Sequence, residues 1–178
     1  MSNSLKKLCL TALGIALFPA LAVCLQVPVF ENYYLCLGYA AMAVWLWCFG
    51  TFSGTLVGAL GVVIYCLIIN GMRGMPGWAL GNVVIGLILG PVFLLGRRIP
   101  NRFLRSALWI AAIAVSSALG ILVVKSLTEC LLYQQPFALR VGKNVYAFVA
   151  DLVMLVVSIP LCRILYPVAK KRFPELTR

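Results

Sequence analysis

Apolar residues gather along this chain into six blocks, at 8–27, 35–49, 54–69, 78–96, 106–124 and 145–166, with short polar breaks between them. A bilayer core about 30 Å thick needs roughly 20 apolar residues of helix, so each block predicts one crossing. The second block is short and dense in aromatics, with Trp45, Trp47 and Phe49 near its end. Turn formers and charges mark the breaks: Glu31-Asn-Tyr-Tyr34, Gly50 to Ser53, Asn70-Gly-Met-Arg-Gly-Met-Pro-Gly77 and Arg97-Arg-Ile-Pro-Asn-Arg-Phe-Leu-Arg105. Residues 125–144 read as a mixed loop, and the basic tail 167–178 as a segment at the membrane surface. The predicted fold is all-α, an integral membrane bundle of six transmembrane helices forming a single domain over residues 1–178.

Composition agrees with that pattern. Hydrophobic residues make up 63% of the 178 and charged residues only 11%, and the mean hydropathy is +1.06, far from a soluble domain. The formal charge of +11 raises the question of nucleic acid. Its placement in short loops between apolar runs answers it, because cations there orient helices and form no groove for phosphates. With six alternating crossings, one side collects eleven Lys and Arg: Lys6, Lys7, Arg97, Arg98, Arg102, Arg105, Arg163, Lys170, Lys171, Arg172 and Arg178. The other collects four: Arg73, Lys125, Arg140 and Lys143. The richer side is expected in the cytoplasm, which puts both ends of the chain inside a bacterial or archaeal cell membrane. Lys6-Lys7 followed by Leu21-Ala-Val-Cys24 also resembles a signal peptide. Val23 is large for the residue before a lipidated cysteine, and the apolar run continues to Val27, so the block reads as a span.

Seven cysteines are scattered without a Cys-x-x-Cys pair, and histidine is absent. Neither a metal site nor a disulfide framework is indicated, and no cofactor is expected. Few groups remain for general acid–base work, which disfavours an enzyme.

Small residues recur at four-residue spacing, placing them on one helical stripe where another helix can approach closely. Ala12, Ala16 and Ala20 form one such stripe; Gly50, Gly54 and Gly58 form another, with Gly61 beyond, and Gly77 with Gly81 and Gly86 with Gly90 repeat it. Tyr34-Leu-Cys-Leu-Gly38 and Phe49-Gly-Thr-Phe-Ser-Gly54-Thr-Leu-Val-Gly58-Ala-Leu-Gly61, with Ala12-x-x-x-Ala16 and the closing helix from Val145 to Leu165, resemble the substrate-binding S components of energy-coupling factor (ECF) transporters. That resemblance implies a subunit that binds a small water-soluble vitamin or micronutrient from outside. Its implied partners are a transmembrane coupling subunit and two cytoplasmic ATPases. It also implies that Ala12, Ala16 and Ala20 meet the coupling subunit. No Gly-x-x-x-x-Gly-Lys phosphate loop occurs here, so any ATP-driven step belongs to partners.

The residues themselves point to a site on the less basic side. Tyr33, Tyr34 and Trp78 can stack a ring, Asn82 and Asn144 can donate and accept hydrogen bonds, and Arg73, Arg140 and Lys143 can receive an anionic group. Glu129 joins them, and Asp151, an acid inside a span, is costly unless paired or functional. Asp151 paired with Lys143 or Arg140 is the purely structural alternative. At the level of function, the alternative is an envelope-assembly protein of the rod-shape type, which would hold no ligand.

Overall fold

In this computed structural model, residues 3–24, 27–30, 33–70 and 75–177 are described. The helices are α1 (Asn3–Cys24), α2 (Gly38–Phe49), α3 (Thr51–Tyr65), α4 (Met75–Gly96), α5 (Arg102–Ser117), α6 (Ser126–Tyr133) and α7 (Phe137–Arg172). A π-helical stretch, Ala118–Lys125, joins α5 to α6, so that Arg102–Tyr133 is one rod of 32 residues. Another π-helical turn, Cys66–Asn70, extends α3. Five of these helical rods are long and apolar enough to cross a membrane, and α2 is a shorter apolar sixth. The chain is a multi-pass helical membrane protein, and among the described residues its strands are a small antiparallel hairpin, β1 (Val27–Phe30) with β2 (Tyr33–Leu35).

Helix α2 explains how a short segment can serve in a bilayer protein. At 12 residues it is about 18 Å long, less than the hydrocarbon thickness. All 12 are buried, because α1, α3, α4 and α7 pack around it and lipid never has to match its length. A helix apolar on every side belongs in such a position. Only Gly50 separates α2 from α3, and its φ of 94° is a conformation that glycine adopts without strain.

Glycines on α3 and α4 set the helix spacing. A Cβ on Gly54 would lie 2.5 Å from the Leu46 backbone nitrogen, and one on Gly61 would lie 2.5 Å from Phe18 Cβ on α1. Gly58 takes the Met42 sulfur, while Gly86 and Gly90 take the Thr55 and Thr51 side chains. Lipid tails are as apolar as leucine, so this close packing is what holds the helices together. Ala12, Ala16 and Ala20, in contrast, are all exposed on the outer face of α1.

Of the expected breaks, Gly50 and residues 97–101 lie between helices, while residues 31–32 and 71–74 fall outside the described residues. Residues 125–144 are not a loop: α6 runs to Tyr133 and α7 starts at Phe137, leaving three residues between them. Polar residues there bond to each other across the two helices, which keeps the backbone helical despite the drop in hydropathy. The last helix is correspondingly long, and α7 also continues past residue 166 to Arg172. Val27, expected to close the first crossing, instead opens β1, which pairs with β2.

Candidate functional site

At the end of the bundle away from Lys6 and Arg97, buried and half-buried polar side chains from α2, α4, α7 and the π-helical stretch meet. Trp78 and Asn82 stand about one turn apart on α4, with Asn82 fully buried. Both atoms of its amide are used: Nδ2 donates to the Gly58 carbonyl at 2.9 Å, and Oδ1 accepts from Tyr39 Oη at 2.8 Å. Tyr39 Oη accepts in turn from Trp78 Nε1 at 2.8 Å. The Asp151 carboxyl, 4% exposed, faces the Tyr39 hydroxyl and the Lys125 ammonium. That ammonium lies 5.8 Å from the centre of the Trp78 ring, and Tyr65 packs edge-on against the same ring with centroids 5.7 Å apart.

Close backbone approach builds this arrangement. A Cβ on Gly81 would sit 2.7 Å from the Gly120 carbonyl oxygen, and one on Gly120 would sit 2.6 Å from that of Gly81. With no side chain on either, α4 and the π-helical stretch touch, and the next turn brings Lys125 alongside Gly77. A Cβ there would be 3.0 Å from the Lys125 carbonyl oxygen and 3.4 Å from Glu129 Cγ.

Glu129 begins a second, contiguous cluster. Asn144 Nδ2 donates to Ser126 Oγ at 2.9 Å and to Glu129 Oε2 at 3.1 Å, and Arg140 Nη1 lies 3.6 Å from Glu129 Oε2. Arg140 also covers the Tyr133 ring at 4.9 Å. A buried carboxylate needs such a partner, since desolvation otherwise removes more than the pairing returns. Asp151 is therefore not the partner of Arg140, and Lys143 is exposed beside Asn144 without reaching the interior. Asp151 interacts electrostatically with Lys125 instead.

Of the expected site residues, Trp78, Asn82 and Asp151 come together in one network, and Glu129, Arg140 and Asn144 in the adjoining one. Tyr33 and Tyr34 lie in β2 with only their backbone described, and Arg73 lies outside the described residues. Tyr39 and Lys125 are the additions, one the hub of the first network and the other its cation. A tyrosine in an apolar run is itself a signal, because its hydroxyl must find a partner away from water.

Chemically, this end offers the Tyr39, Tyr65 and Trp78 rings, an amide, a carboxyl and an ammonium. Such a set can stack and orient a polar heteroaromatic molecule. No group of three or more His, Cys, Asp or Glu gathers among the described residues.

A family model described as ECF-type riboflavin transporter, S component, matches residues 2–167. Two proteins of Streptococcus thermophilus, each named UPF0397 protein, are 24% identical to this chain: that of strain ATCC BAA-491 / LMD-9 over 182 residues and that of strain CNRZ 1066 over 185. Each alignment covers 99% of this chain and 98% of the relative.

Proposed function

The chain belongs to the family of S components of ECF-type riboflavin transporters, and from that premise we propose that it captures riboflavin, or a closely similar planar vitamin, at the Trp78 end of the bundle. An S component is a binding subunit and not an enzyme, so the side chains at that end have only to select and hold. The observation that carries the reading is the network of buried Tyr39, Asn82 and Asp151 with Trp78. Polar groups are expensive inside a membrane protein, and three of them converging beside a half-buried indole support a binding site there.

In this reading Trp78 stacks the ring, while Asn82, Asp151 and Lys125 meet its hydrogen-bonding edge. Asn144, Glu129, Arg140 and Lys143 line the approach. The excess of Lys and Arg at the opposite end supports an outward-facing site, with both ends of the chain in the cytoplasm. Exposure of Ala12, Ala16 and Ala20 supports docking of a transmembrane coupling subunit on α1, with two cytoplasmic ATPases supplying the energy.

Riboflavin fluoresces, and stacking on an indole quenches it, so titration into the purified protein in nanodiscs is a direct test. Saturable quenching is expected, with Trp78→Ala raising Kd by about tenfold or more. Mass spectrometry of the ligand that co-purifies provides the independent check. A co-purified compound of another class, with no saturable response to riboflavin, removes the substrate assignment.

A further inference from the structure

The Lys/Arg-rich end holds a cavity of about 370 Å³ lined by Trp47, Arg97, Arg105, Trp109, Arg163 and Tyr166. Three guanidiniums converge on one aromatic group there, and none of the six residues is acidic. Arg97 lies 4.3 Å from the centre of the Tyr166 ring and 5.3 Å from that of Trp47, and also donates to the Trp47 carbonyl. Arg105 and Arg163 lie 5.5 Å and 5.2 Å from the Trp109 ring. The Trp47 and Trp109 rings are 4.5 Å apart, which ties the three cations into one cluster.

The acids of the chain are all committed elsewhere or out of view. Glu175 pairs with Lys6 at 3.2 Å, Glu129 and Asp151 sit at the far end, and Glu31 lies outside the described residues. Ring faces attract guanidiniums only partly as well as an anion would, and like charges this close repel. Among the described residues, Arg105 Nε and Trp109 Nε1 are buried without a hydrogen-bond acceptor, Trp109 being only 2% exposed. Burial also lowers the pKa of the Arg97 guanidinium, because desolvation disfavours its charged form.

We propose that this cavity binds a phosphate ester, held by Arg97, Arg105 and Arg163 and walled by Trp47, Trp109 and Tyr166. Arginine forks match phosphate oxygens in geometry as well as charge, and the volume lies within the roughly 300–1,000 Å³ usual for small-ligand sites. Two sources share that chemistry: the headgroup of an anionic phospholipid at the bilayer surface, or a soluble phosphate monoester. The site is separate from the Trp78 network and does not depend on the substrate proposed for it.

The test uses the full chain in nanodiscs of phosphatidylcholine alone or with phosphatidylglycerol, read by native mass spectrometry and thermal unfolding. Wild-type protein is expected to retain phosphatidylglycerol, or to be stabilised in phosphatidylcholine discs by glycerol 3-phosphate. Arg105→Gln with Arg163→Gln should weaken that binding by about tenfold or more. Lys170→Gln with Lys171→Gln removes as much charge from the same end and should change it less than twofold. Retention of the lipid undisturbed by glycerol 3-phosphate assigns the lipid, and stabilisation in phosphatidylcholine discs assigns the soluble ester. Neither response in wild type, or equal losses in the two double variants, overturns the proposal.

Discussion

Two stripes of small residues run along one face of each of two neighbouring helices, and the bundle treats them in opposite ways. Gly54, Gly58 and Gly61 on α3 are buried against α2 and α1, with backbone and side-chain atoms where their Cβ atoms would be. Ala12, Ala16 and Ala20 on α1 face out, between exposed Leu13 and Leu17. Small-xxx-small spacing says only that a surface is smooth. Whether the smoothness serves the fold or a partner depends on which side of the helix the rest of the chain occupies, and on α1 that side is claimed by Phe18 and Gly14.

The sharpest way to break the comparison is to add the same bulk to each stripe. Gly54→Leu drives a side chain into the Leu46 backbone, which cannot rotate away, so the cost should exceed the about 1–3 kcal/mol typical of overpacking. Loss of the monodisperse species in detergent is the expected result. Ala16→Leu adds three carbons to an exposed face and should move stability by less than about 0.5 kcal/mol. A Gly54→Leu protein as stable as wild type would show that the α2–α3 packing described above is not the one that holds the bundle.

A smaller effect is expected at the polar network. Asn82→Leu leaves the Tyr39 hydroxyl without its acceptor and the Gly58 carbonyl without its donor, at roughly 1–3 kcal/mol of stability. Asp151→Asn keeps the shape and removes the charge, so it should weaken ligand binding with little change in unfolding temperature. Equal loss of stability in both would return Asp151 to a structural role.

Much of this was readable from residue order, and the misses have a common cause. The six apolar helical segments are legible in the apolar blocks, and Trp78 with Asn82 in their spacing on one helix. Residues 125–144 were misjudged because hydropathy counts Glu129, Arg140 and Asn144 as if each stood in water, whereas they satisfy one another between α6 and α7. Tyr39 went unnoticed for the reverse reason. It sits in an apolar run between Gly38 and Ala40, and only the three-dimensional meeting of α2 with α4 reveals its two hydrogen bonds. The β1–β2 hairpin was hidden because Val27–Phe30 is too short for its period to be distinguished from the end of a helix.

The smallest effect on stability and the largest on transport should coincide at Ala12→Trp. An indole there meets no neighbour within the chain, because the residue is exposed and the core-facing side of α1 lies at Thr11, Gly14 and Phe18. Folding and vitamin binding should therefore stay within about twofold of wild type. If α1 is where a coupling subunit docks, the same indole holds the two helices apart and uptake into cells or energised proteoliposomes should fall to background, because close helix contact tolerates no large side chain. Binding and uptake would then separate in one variant, as they cannot at Asn82, where both depend on the same network. Uptake unchanged by Ala12→Trp and Ala16→Trp together would move the docking surface to another face of the bundle.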